Sequence, residues 1–245
     1  MTGTPPLSAP RGASDGRGER WAAHRAERQL QILDAAIVVI EREPIGAEIH
    51  VRQIAEQAGL GRAVVYRHFA DRADLDRAVQ NRILDRLMER LVPEFALSGT
   101  IEQLIFRIVH AYVDWAAAHP ALHRIGAMET PDDRGESDLT RAAAQIGDGI
   151  ATLVRTGAEL LEIELTPDDE DLLDPLVFGI VGQVFGAVRS WLSRPEQSPA
   201  ADVLAGQLAR SIWFQIDGLA RDRGAVVDPS SSLDELIMAA VRADT

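Results

Sequence analysis

Two short apolar repeats, separated by Gly59, Leu60 and Gly61, constrain this chain more than any other stretch. Val51, Ile54, Ala55 and Ala58 recur at helical spacing, and Gly59 follows where a left-handed residue ends a helix. A second short run over residues 62–68 turns Val65 inward, with Phe69 just beyond it, and leaves Arg62, Ala63, Tyr66, Arg67 and His68 facing out. A longer helix over residues 23–42 comes first. Its Leu33, Ala36, Ile37 and Ile40 fall at i, i+3, i+4 and i+7, and Pro44 and Gly46 end it. Asp71 can cap a fourth helix carrying Leu75, Val79, Ile83, Leu87 and Leu91, which Pro93 closes. Two short helices joined by a tight turn and braced by a first helix form a helix-turn-helix, whose second short helix enters the major groove of DNA.

A net charge of −13 argues at first against a nucleic-acid partner. Its distribution reverses that. Residues 1–92 hold 14 Arg against 13 acids, whereas residues 93–245 hold 11 Arg against 25 acids. The acid lies in the second part, and DNA responds to the local face rather than the total. There is no Cys, which excludes disulfides, thiolate metal sites and cysteine nucleophiles. Residues 1–22 are rich in turn formers and read as a disordered leader without the apolar block of a secretory signal.

Beyond Pro93 the pattern stays helical, and no alternating strand is evident. Helices are expected over residues 100–119, 121–128, 139–164, 167–193, 199–221 and 233–242, with a polar loop at residues 130–137. The expected fold is all-α: a three-helix helix-turn-helix DNA-binding domain within residues 23–92, then a helical ligand-binding and dimerisation domain over residues 93–245. The most apolar stretch, residues 172–192, is broken by Asp174, Pro175, Gln183 and Arg189, and reads as a buried helix rather than a membrane span.

The sequence of residues 50–69, HVRQIAEQAGLGRAVVYRHF, resembles the DNA-binding signature of TetR-family regulators. That signature is a helix ending Ile-Ala-x-x-Ala-Gly, a hydrophobic turn residue, and a recognition helix ending Tyr-x-His-Phe. Residues 32–36 resemble the family's first helix, and Asp71, Arg72 and Leu75 the start of its fourth. The likeness implies phosphate contacts from Tyr66, His68 and Arg72, and places His50 and Arg52 near the DNA backbone. It implies base reading by Arg62, Ala63 and Val64, with Arg67 also on the DNA side. Phosphate contacts position a protein, and base-edge contacts specify the sequence. Two positions depart from the pattern. Gly61 and His50 stand where the family commonly has a Ser or Thr cap, so a side-chain bond to the helix amides is lost at Gly61.

The same resemblance implies a homodimer on a near-palindromic double-stranded DNA operator, a repressor released by a small hydrophobic ligand, acting in the cytoplasm. Leu172, Leu173, Leu176, Val177, Ile180, Val181, Val184, Phe185, Val188 and Trp191 make one helix apolar almost all round, which suits burial on both sides. With the following helix it would form the dimer bundle. Candidate pocket residues are Phe106, Tyr112, Trp115, Met128, Ile146, Ile150, Leu153, Phe178 and Phe185, with His119 and Gln183 to orient a ligand. His119 and His123 are four apart, but Pro120 intervenes and no third ligand is evident, so no metal is expected. Neither a phosphate loop nor a nucleophile motif is present, so no cofactor, membrane partner or enzymatic activity is expected. The alternative is a helical small-molecule-binding or enzymatic dimer that has lost DNA binding.

Overall fold

The computed structural model describes residues 15–128, 137–160, 163–235 and 237–238. The chain divides into two compact units, Met1–Val79 and Gln80–Thr245.

In the first unit, helix α1 spans Asp15–Arg42. It begins ahead of the expected residue 23, so residues 15–22 are helix rather than an irregular leader; residues 1–14 lie outside the described residues. The physical reason is propagation. The buried stripe of Ile32, Leu33, Ala36, Ile37 and Ile40 anchors the helix. Extension through Ala-, Arg- and Glu-rich sequence then needs only one hydrogen bond per residue. A turn with Gly46 at φ 86° leads to α2, Val51–Gln57. The His50 N–H donates to Gln53 Oε1 at 2.7 Å, closing the start of α2.

The end of α2 is a Schellman turn. The Leu60 N–H donates to the Ala55 carbonyl at 2.8 Å, and the Gly59 N–H to that of Glu56 at 3.1 Å. Gly59 sits at φ +67°, where a Cβ would be strained. Gln31 Nε2 of α1 donates to the Ala58 carbonyl at 2.9 Å and fixes this corner. Helix α3, Arg62–His68, follows with Gly61 as a cap that makes no side-chain bond. Val65 and Phe69 are buried at 0 % and 2 % exposure, which seats α3 on the corner. Helix α4, Arg72–Leu91, starts where the Asp71 carboxylate accepts from the Asp74 N–H at 2.8 Å.

The boundary between the units falls inside α4, not at Pro93. The second half of α4 packs with the second unit, whose Gly126 lies against Ile83 and Leu84. After a 3-10 turn at Val92–Phe95 come α5, Ile101–Ala118, and α6, Pro120–Gly126. Helix α7 spans Asp138–Leu160, α8 Pro167–Leu192 and α9 Ala201–Asp222. Thr100 and Thr166 head α5 and α8 with capping boxes, Thr100 with Gln103 and Thr166 with Asp169. Helix α5 packs on α9, and α7 on α8. Helical structure begins again at Leu233, and the end expected at residue 242 lies outside the described residues. Of the loop expected at residues 130–137, only Ser137 is described. Among the described residues there is no strand, only an isolated bridge between Thr100 and Ser232. The fold is all-α.

Within a single chain, helix α8 is buried along one side. It buries Leu173, Val177, Val188 and Trp191, but Leu172, Leu176 and Phe178 are about half exposed. Among the described residues it is also the one helix long and apolar enough to cross a membrane.

Candidate nucleic-acid interface and ligand cavity

Helix α3 has two faces. Val65 is buried, and Arg62, Ala63, Tyr66 and Arg67 are exposed, with Val64 between. A seven-residue helix with its anchor on one side and a guanidinium-rich side to solvent has the shape the major groove admits. On α2, Arg52 is exposed and paired with Glu56 at 3.1 Å, and exposed His50 lies 3.6 Å from Glu48. His68 is half-buried, and its Nδ1 has no hydrogen-bond partner. Burial, followed by the nearby guanidinium groups of Arg25, Arg67 and Arg28, lowers its pKa. Burial first, and the neighbouring guanidinium groups second, thus disfavour the protonated ring. Arg72 is held from two sides: Nη1 donates to the Ile49 carbonyl and Nε to the Asp76 carboxylate.

The second unit holds a cavity of about 480 Å³, partly open to solvent and within the range of small-molecule sites. Helices α4 to α9 all contribute to its wall, which is almost wholly aliphatic and aromatic. Its main polar feature is one pair: Tyr112 Oη lies 2.9 Å from His123 Nε2. The Phe185 ring packs on both, with centroids 6.5 Å from Tyr112 and 5.6 Å from His123. Burial raises the Tyr112 pKa above its ordinary value. Burial, with the Arg189 guanidinium adding to it, pushes His123 down to about 4. Both groups are uncharged near neutral pH. Gln80 on α4, itself buried, donates to the carbonyls of Met128 at 2.6 Å and Gly126 at 3.3 Å. This fixes the end of α6 and, through it, the wall that carries His123.

Residues 32–79 match the sequence profile of bacterial regulatory proteins of the tetR family. Those residues run from the buried stripe of α1 through α2 and α3 into α4. The helix-turn-helix of this chain is thus similar to that of TetR-family regulators. An uncharacterised HTH-type transcriptional regulator of Mycobacterium tuberculosis is 28% identical over 219 residues, 87% of each chain. A tetR-family regulator from Streptomyces coelicolor shares the fold at TM-score 0.59 and 19% identity, covering 89% of each chain. FadR from Bacillus subtilis, solved with stearoyl-CoA, has TM-score 0.57 and 17% identity. It covers 74% of this chain and 95% of its own.

The cavity gathers seven of the expected pocket residues: Tyr112, Trp115, Ile146, Ile150, Leu153, Phe178 and Phe185. Phe106, His119, Met128 and Gln183 do not line it. Phe106 falls off the helical stripe of Ile105, Ile108, Tyr112 and Trp115, and its ring tilts on His110. His119 lies in the break between α5 and α6, with its ring beside Trp115. Met128 is exposed beyond the end of α6. Gln183 is occupied between α8 and α9, donating to Ser211 Oγ and accepting from Gln215 Nε2, both at 2.9 Å. His123 and Gln80 are the polar residues that sequence reasoning missed. The spacing of His123 from His119 points only to a metal ligand, and a pairing with Tyr112 leaves no mark in the sequence. Among the described residues, no group of three or more His, Asp and Glu side chains is placed to hold a metal.

Proposed function

We propose that this protein is a homodimeric repressor that binds a near-palindromic operator and is released when a small hydrophobic ligand enters the cavity. The observation that carries the DNA-binding part is the two-sided α3. Its anchor is buried on the corner made by the Gly59 turn, while Arg62, Tyr66 and Arg67 face solvent. Arg62, Ala63 and Val64 are the base-reading candidates. His50, Arg52, Tyr66, Arg67, His68 and Arg72 position the helix on the backbone. One such helix reads few base pairs, so two copies about one DNA turn apart are needed for a specific site.

The dimer surface is the outer side of α8 and α9. Leu172 and Leu176 on α8 and Val203, Phe214 and Leu219 on α9 are exposed apolar side chains. Gly179 and Gly186 meet nothing within 4 Å, which leaves room for a partner helix. Protein rather than lipid suits this face, because Asp174 and Gln183 interrupt it. The almost wholly apolar wall of the cavity supports ligand binding rather than catalysis, and a regulator of this kind works in the cytoplasm, where the DNA is. The long acyl chain of the stearoyl-CoA bound by FadR supports a ligand with a hydrophobic tail.

Gel shift against DNA upstream of the protein's own coding sequence tests this reading. Retardation that falls steeply with added salt is expected, because phosphate contacts release counterions. Absence of binding at low salt overturns it.

A further inference from the structure

The cavity is long, apolar and polar at one end. Helix α5 lines it from Ile101 to Trp115. At 1.5 Å rise per residue, those two positions lie roughly 21 Å apart along the helix. Tyr112 is one turn from the Trp115 end, and His123 and Phe185 stand beside it. At the other end the wall is Leu97, Ile101, Val227 and Leu233. Carbon–carbon bonds of about 1.5 Å advance less than their length per carbon, so roughly 14 or more chain carbons would fill that distance.

The chemistry of the polar end is narrow. A neutral imidazole has one N–H and one acceptor nitrogen, and a phenol has one O–H. One of those hydrogens is used in the Tyr112–His123 bond. Whichever group donates it, the pair retains one N–H or O–H to offer. Among the described residues, no Asp, Glu or Arg side chain lines the cavity. Arg189, which bears on His123 electrostatically, is exposed and outside the wall. The cavity also lies in the part of the chain with 25 acids against 11 Arg, so its surroundings repel anions. A carboxylate or phosphate seated on Tyr112 and His123 would find no cation to pair with among the described lining residues.

We infer that the cavity takes an uncharged, long-chain molecule with one hydrogen-bonding head, a hydroxyl or carbonyl seated on Tyr112 and His123 and its tail extending toward Ile101. This rests on the cavity being the effector site of the proposed regulator, and it separates this protein from a receptor for fatty acids or acyl-CoA. The uncharged state of both head-binding side chains fits that selection.

The test uses the full chain and probes of equal tail length. Dissociation constants for 1-dodecanol, dodecanoate and dodecanoyl-CoA are measured at pH 7.5 by tryptophan fluorescence, since Trp115 lines the cavity. The alcohol is expected to bind at least ten-fold more tightly than either anion. Equal or tighter binding of dodecanoate or dodecanoyl-CoA overturns the inference, as does failure of all three to bind. In a Tyr112→Phe, His123→Leu double variant the alcohol is expected to lose about ten-fold, while 1-chlorododecane, with no comparable head, binds as before. Equal losses for both overturn the seat of the head group. If the double variant does not fold, the comparison on the unaltered chain still decides. Gel shift on the same preparation separates the two readings. DNA binding without alcohol binding refutes this inference alone, and alcohol binding without DNA binding refutes the regulator instead.

Discussion

Arg72 donates from Nη1 to the backbone carbonyl of Ile49 at 2.6 Å, tying the first turn of α4 to the segment that enters α2. Its Nε also donates to the Asp76 carboxylate at 2.8 Å, within α4. A guanidinium has five N–H donors, so two partners leave others for a phosphate. Arg72 is thus a clamp on the helix-turn-helix as well as a phosphate-contact candidate.

Arg72→Ala is expected to lower the stability of the first unit by about 1–2 kcal/mol, the range for a partly exposed charged hydrogen bond. It should also weaken DNA binding about ten-fold on every sequence alike. Thermal melts and fluorescence anisotropy on two unrelated operators check this. A change in sequence preference would show that Arg72 reads bases.

Arg62 sits on the exposed side of α3 at its first position. Replacing it with Ala should cost about 1–3 kcal/mol of discrimination at one base pair, the worth of a bidentate contact to guanine. Binding to non-specific DNA should fall far less. Selection from a randomised operator, with the variant beside the unaltered chain, would reveal the relaxed position; an unchanged consensus would remove Arg62 from the reading set.

His123 makes stability depend on pH in a definite sense. Its folded pKa is about 4, below the ordinary value of 6.5, so the unfolded chain binds the extra proton between these values. The stabilisation is fully present above pH 6.5 and is lost as pH falls toward 4. Across pH 6.5 to 5, before most carboxylates titrate, the loss should be about 1.5 kcal/mol. Urea unfolding of the unaltered chain and His123→Gln over that window should converge as pH falls, because the variant lacks this slope. Parallel curves would mean that His123 is not buried neutral.

The outer side of α8 and α9 should fail as an interface when a charge is placed in it. Leu176→Glu is expected to weaken the dimer roughly 100-fold, since each copy loses a buried leucine worth about 1.5–3 kcal/mol and gains a carboxylate. Sedimentation would show monomer where the unaltered chain is dimeric, and operator affinity would drop with it. A variant still dimeric at low micromolar concentration would place the interface elsewhere.

The helix-turn-helix is legible in the sequence because its signals are local. Gly59 ends α2 through bonds that reach back only to Ala55 and Glu56, and Val65 and Phe69 mark the inner side of α3 by spacing alone. The extra turns of α1 were less visible. Gly16 and Gly18 resemble a leader, and only the anchored stripe further along makes helix the better choice there.

The sequence by itself determined the all-α class, the recognition helix with its outward residues, and the apolar character of the second unit. All of these follow from periods of three to four residues and from caps and stops beside them. Tertiary structure alone decided which apolar side chains face a cavity and which face solvent. Phe106 and Tyr112 look alike as aromatic residues on α5, and helical phase sends only Tyr112 to the cavity. Tertiary packing also brought Tyr112 to His123 across the break at Pro120, and Gln80 to the carbonyls closing α6. Such pairings form between helices, where spacing along the chain carries no information about who meets whom.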